Sequence, residues 1–221
     1  MKSLIACFAM LLFVLTAVPV HAGNCQLPPC GPAYDNGPIN GTTDAWTINF
    51  GYIVSDTFTS TGGAVNSVSA GIWEFPGDTV SSVDWSITSQ ENAGTVYGSG
   101  TASGSNLFDR FISSNQYGYN IDAITFNTGN VNLSPGLYWL NLQNASVASG
   151  DPVYWDENSG AGCSGSGCPS QASESALGTI PSEAFTINGA CCGTVPEPGS
   201  VVLLGSGILG VAGVLRRRRL V

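Results

Sequence analysis

Polar and apolar positions alternate with a period of two over much of the chain, and nowhere in its middle do they recur at helical spacing. The plainest case is SVDWSIT, where Val83, Trp85 and Ile87 point one way while Ser82, Asp84, Ser86 and Thr88 point to water. Val68, Ala70 and Ile72 repeat the pattern against Ser67 and Ser69, and Pro76-Gly77-Asp78 terminates that strand. AWTINFGYIV, continued by SDTFTS, is rich in aromatic and β-branched residues and reads as strand from Ala45 onward, bounded by the small residues of TSTGGA. GTVYGSGTA around Val96, LFDRFIS around Phe108 and AITFN (123–127) extend the series. Ser134-Pro135-Gly136 predicts a tight turn opening LYWLNLQ, whose Tyr138, Leu140 and Leu142 lie opposite Leu137 and Trp139. Bulk on both faces predicts a central strand. PVYWD and EAFTI complete the set, separated by a loop of small residues.

About eight to ten short strands with Gly and Asn turns predict an all-β fold, an antiparallel β-sandwich of jelly-roll-like form. The segment 23–44 holds Pro28, Pro29, Pro32 and Pro38 with Gly31, Gly37 and Gly41, which rules out a helix and predicts a wrapped lead-in. No period of roughly 20 to 50 residues repeats, so solenoids and propellers are set aside.

The two ends follow other rules. Lys2, the apolar run Leu4 to Val18 and the small residues of Val20-His21-Ala22 form a signal peptide over 1–22, with cleavage expected between Ala22 and Gly23. At the other end Val195 to Pro198 precedes sixteen mostly apolar residues, Ser200 to Leu215, and then Arg216, Arg217, Arg218 and Arg219. As a helix that run spans roughly 24 Å, short of a hydrocarbon layer of roughly 30 Å. It has no polar face, only Ser206 interrupting the apolar and glycine residues. A transmembrane helix is expected, with its basic end cytoplasmic and the body outside. Ser206 and Gly210 form a small-xxx-small pair suited to close helix approach. The body, 23–194, then has the size of one ordinary domain.

Charge and cysteines narrow the function. Of six Lys and Arg in the chain only Arg110 lies in the body, whereas all but one of the fifteen acids do. Such a surface repels phosphate backbones, so nucleic acid is excluded as a partner. The sole histidine, His21, leaves with the signal. The mature chain therefore cannot build a Ser-His-Asp or Cys-His centre or a histidine zinc site. Cys25, Cys30, Cys163, Cys168, Cys191 and Cys192 are an even set in an exported chain and read as disulfides, in preference to an all-thiolate metal site. Cys163 and Cys168 are expected to close locally, and bridges from the 191–192 pair to Cys25 and Cys30 would tie the domain's ends together.

No residue set in the body dictates catalysis, and the chain is expected not to be an enzyme. The candidates for the paired carboxylates of glycoside chemistry are Glu74, Asp78, Asp84, Asp156 and Glu157, which read better as solvated loop charges. No cofactor is expected beyond a structural calcium ion, for which Asp151, Tyr154, Trp155, Asp156 and Glu157 combine oxygen ligands with two aromatics, without the EF-hand order. Trp46, Trp73, Trp139, Tyr154 and Trp155 are candidates for stacking on sugar rings, although core packing is the expected fate of most tryptophans.

Pro196-Glu197-Pro198, the short Gly-rich apolar run and the terminal arginines together resemble the PEP-CTERM sorting signal of Gram-negative bacteria. The resemblance covers about the last 27 residues (195–221), and runs such as GLYWLNLQNA and DPVYWDENSG resemble uncharacterised ectodomains of such proteins. It implies recognition of Pro196, Glu197 and Pro198 by an exosortase, an integral-membrane cysteine protease. It also implies a transient inner-membrane span over Ser200 to Leu215, a basic stop signal at Arg216 to Arg219, and a link to exopolysaccharide or biofilm. Residence in the cell envelope or extracellular matrix, with a structural or adhesive role, is the expected outcome, and an exopolysaccharide-binding module is the alternative.

Overall fold

The computed structural model describes residues 33–158, 160, 163 and 168–189. The expected signal peptide, Cys25, Cys30, Cys191, Cys192 and the entire tail with its sorting motif lie outside these residues. Among the described residues no helix is long and apolar enough to cross a membrane.

The described chain is all-β and antiparallel, with one short 3-10 turn at Gly104–Asn106. Its strands are β1 (Tyr34–Asp35), β2 (Ala45–Thr47), β3 (Ile53–Glu74), β4 (Ser82–Gln90), β5 (Ala93–Ser103), β6 (Leu107–Ser114), β7 (Asn120–Ser146), β8 (Tyr154–Asp156), β9 (Ala172–Glu174), β10 (Gly178–Ile180) and β11 (Phe185–Gly189).

Two of these are far longer than the alternation suggests. β3 has 22 residues and β7 has 27, and they pair with each other from Ile53↔Gln143 to Glu74↔Asn120. The boundaries expected at TSTGGA and at Ser134-Pro135-Gly136 are therefore not strand ends. They face each other inside the ribbon, Thr61 opposite Pro135, with Gly62 and Gly63 at φ 99° and 122°. Only glycine adopts that backbone without strain, and the residues that looked like turns instead let both strands bend together. A second correction concerns AWTINFGYIV, which is broken at Asn49–Gly51: Tyr52 N–H donates to the Asn49 carbonyl at 3.0 Å and Phe50 sits at φ 57°.

The bend matters because a straight strand of 27 residues would run roughly 90 Å at about 3.3 Å per residue. Trp85 pairs with Leu142 and Phe126 pairs with Val68, at opposite ends of the ribbon, yet the Trp85 and Phe126 rings stack at 5.8 Å. Tyr34 likewise reaches Phe58 at 6.1 Å. The sheet is hydrogen-bonded throughout but doubles back on itself, so its two halves face each other. One half joins β10, β9, the start of β3, the end of β7, β4 and β5. The other joins β1, β11, the end of β3, the start of β7 and β6, with β8 and β2 beside the last residues of β3.

Between the halves lies one core that includes Phe58, Ile72, Ile87, Phe126, Leu140, Leu142, Trp155 and Phe185, each at most 1 % exposed. The expectation that LYWLNLQ is central holds, since β7 has neighbours on both sides. Three short strands, β1, β9 and β10, arise in segments whose composition suggested only turns, because neighbouring strands supply their hydrogen-bond partners.

Candidate functional site

On the far side of the core-facing positions of β3, Trp73 stands beside Tyr154 of β8. The β6–β7 hairpin brings two more aromatics over it. Asn115 Oδ1 accepts the backbone N–H groups of Tyr117 and Tyr119, each at 3.0 Å, while Asn115 N–H donates to the Tyr119 carbonyl. Gly118, at φ 87°, turns the tip so that Tyr117 stacks on Trp73 at 5.8 Å between centroids. Tyr119 lies 5.6 Å from Trp73 and meets Tyr154 edge-on at 5.6 Å. With Thr43, Asp44 and Ala45 these rings line an open cleft of about 390 Å³.

The rim is held from beneath by Asp156, which is fully buried. Its Oδ1 accepts the Trp73 indole N–H at 2.6 Å, and its Oδ2 accepts the backbone N–H groups of Asn40 and Gly41 at 3.0 and 3.2 Å. Burial pushes the Asp156 carboxyl up, and the three donors oppose that shift. Burial, helped by Tyr119, likewise pushes the Tyr154 phenol up to about 12, so it stays protonated at neutral pH. The next residue, Glu157, accepts the Trp46 indole N–H at 3.2 Å.

The residues of the expected calcium segment take different settings in the fold. Asp156 is occupied by protein donors, Glu157 by Trp46, and Asp151 offers its backbone carbonyl to Asn49. Trp155 is fully buried and donates to the Ala184 carbonyl, and only Tyr154 of that group reaches the cleft. Among the five tryptophans, Trp85 and Trp155 are core, Trp46 and Trp139 are half-buried, and Trp73 floors the cleft with 4 % exposure. The glycosidase candidates do not frame it: Asp84 accepts from Thr101 and Asn144, Asp78 from Ser149, and none of Glu74, Asp78, Asp84, Asp156 and Glu157 lines the cleft.

Composition hid two buried acidic groups. Glu74, Asp109 and Asp122 bring one carboxylate oxygen each within 4.8 Å of one another. Separately, Asp56 and Glu183 are wholly buried. Glu183 N–H donates to Asp56 Oδ2 at 2.6 Å, and Asn36 bridges Asp56, Ser170, Ser182 and the Glu183 carbonyl. Burial pushes the Asp56 carboxyl up to about 7 and Glu183 well above its ordinary range. Cys163 and Cys168 are bridged, as their spacing suggested, with Cα atoms 6.0 Å apart. Tyr117, Tyr119, Asp109 and Asp122 escaped the sequence reading, although strand alternation places Asp122 in phase with Ile124 and Phe126 and so at a core position.

Two comparisons with known proteins bear on the chain. Residues 194–219 match the PEP-CTERM protein-sorting motif, so the chain carries that sorting motif in its last residues. The motif implies processing by an exosortase, a membrane enzyme, and export toward the cell envelope. No curated protein matches the chain.

Proposed function

We propose that the body, residues 23–194, is a structural or adhesive protein of the cell surface or exopolysaccharide matrix, released from the inner membrane when an exosortase reads Pro196, Glu197 and Pro198. The observation that carries this reading is the sorting motif at 194–219. It is supported by the open cleft of the body, which is lined largely by aromatic rings. The doubled-back β3–β7 ribbon supports describing the body as a jelly-roll-like sandwich. Mass spectrometry of the mature protein tests the sorting step. A carboxyl end near Pro198 with the apolar run missing is expected, and an intact Val221 would leave a plain membrane anchor.

A second reading is favoured by the cleft itself: a carbohydrate-binding surface for exopolysaccharide. Flat rings cover the C–H face of a pyranose as they cover other apolar surface. Tyr117, exposed and backed by its stack on Trp73, offers a ring for one sugar, and Asp44 and Thr43 offer hydrogen-bond partners at the rim. Retention on insoluble glycans that is lost in Tyr117→Ala supports this role. No retention on any glycan leaves the structural role alone.

A further inference from the structure

The inward face of three neighbouring strands changes character at one end of the ribbon. Along β3 the core positions Val68, Ala70 and Ile72 are followed in phase by Glu74. Along β7 Phe126 and Ile124 are followed by Asp122, and along β6 Leu107 is followed by Asp109. The register brings these ends together, Ile72 opposite Asp122 and Asp109 opposite Ile124.

Three acids thus occupy positions that would otherwise continue the core. Glu74 is 1 % exposed and Asp122 is 4 % exposed. Glu74 Oε2, Asp109 Oδ1 and Asp122 Oδ1 are buried and have no hydrogen-bond partner, although one Asp109 oxygen, Oδ2, accepts the Val80 N–H. Buried carboxylates are normally paired or coordinate a metal, because an unpaired buried charge is costly. Among the described residues no basic side chain serves them. Arg110 is the only Lys or Arg among the described residues, and it is exposed, on the side of β6 opposite to Asp109.

We propose that Glu74, Asp109 and Asp122 bind a single calcium ion that ties β6 to the end of the β3–β7 ribbon. The geometry fits the size of the ion: calcium binds oxygen at about 2.3–2.6 Å, so two ligands on opposite sides of it stand about 4.6–5.2 Å apart. The three oxygens lie within 4.8 Å of one another. Magnesium, which demands near-ideal octahedral geometry and sheds water reluctantly, suits a buried set of protein carboxylates less well. Half-buried Asp109 leaves a route to solvent, and water and backbone carbonyls complete the shell of six to eight ligands usual for calcium. Without a cation, burial and the neighbouring Asp122, Asp109 and Asp78 push Glu74 up to about 9.

The experiment uses the full chain in detergent, stripped with EDTA and melted with and without about 10 mM calcium. Extracellular calcium modules bind at about 10⁻⁴–10⁻³ M, so saturation raises Tm by about 3–10 °C for a domain of this size. Asp109→Asn and the double variant Glu74→Gln/Asp122→Asn abolish that shift, while Asp84→Asn, on a remote surface acid, retains it. Equilibrium dialysis finds one ion per chain in the wild type, and this measurement decides the matter if the variants do not fold. A wild type that binds no calcium overturns the proposal, as does an undiminished shift in the cluster variants. A magnesium shift as large as that of calcium overturns the choice of ion. A pH-dependent Tm with no response to either ion assigns the cluster to a shared proton instead.

Discussion

The indole N–H of Trp73 donates to Oδ1 of Asp156 at 2.6 Å, linking the end of β3 to β8. The same carboxylate, through Oδ2, holds the backbone of Asn40 and Gly41. One buried acid thereby positions both the floor of the aromatic cleft and the segment that leads to its rim at Thr43 and Asp44. Trp73→Phe keeps a ring in place but strips a buried charged acceptor of one donor. A loss of about 1.5–3 kcal/mol in urea unfolding is expected, and no measurable loss would mean that water replaces the indole.

Gly71 allows this approach. A methyl group there would lie 2.8 Å from Ile39 Cγ2 and 2.9 Å from Asp156 Cβ. Asp156 is not free to withdraw, because three donors hold it. Gly71→Ala is expected to cost about 1–3 kcal/mol, read from the denaturation midpoint, and to weaken any binding at the cleft in parallel.

Tyr117 is the opposite kind of residue. It is 57 % exposed and its contribution to the fold is the stack on Trp73. Tyr117→Ala should change unfolding free energy by only about 0.5–1.5 kcal/mol while reducing glycan retention about five- to tenfold, if the cleft binds sugar. Affinity electrophoresis in a polysaccharide gel, set beside a melt of the same variant, separates the two effects.

The buried acid Asp56 makes stability depend on pH. Its neighbours are Tyr34, Asn36, Ser170 and the equally buried Glu183, with no cation among them. Burial raises its pKa from 3.8 to about 7 in the folded state. Between those values the folded chain binds more protons than the unfolded one. Stability is therefore full below about pH 4, falls as pH rises toward 7 and is flat above, by up to on the order of 4 kcal/mol from this group. In EDTA the Tm at pH 5 should exceed that at pH 8, and Asp56→Asn should reduce the difference, leaving the part that Glu183 and Glu74, also pushed up by burial, contribute. A Tm that rises with pH over this window would contradict the assignment.

Much of this protein is legible without its fold. Alternation at Val83, Trp85 and Ile87 demands a half-buried strand whatever its neighbours, because side chains on a strand alternate between faces. Pro196-Glu197-Pro198 with an apolar run and four arginines specifies an address by local chemistry alone, and the sorting-motif match covers those residues. Local patterns fail where meaning depends on pairing. Gly62-Gly63 and Ser134-Pro135-Gly136 look like two turns until Thr61 is found opposite Pro135, where both serve one bend.

Glu74 reads as a solvated charge, and Asp109 and Asp122 do not stand out at all, because composition carries no information about which strands lie side by side. Only the register Ile72↔Asp122 and Asp109↔Ile124 turns them into a cluster. Tyr117 and Tyr119 become part of a cleft only because the β6–β7 hairpin lays its tip over Trp73. The sequence by itself determined the sorting signal and the clearly alternating strands such as β4, since each rests on neighbours in the chain. The tertiary structure decided which acids are buried together and which rings share a surface, because strand pairing joins residues that the chain keeps far apart.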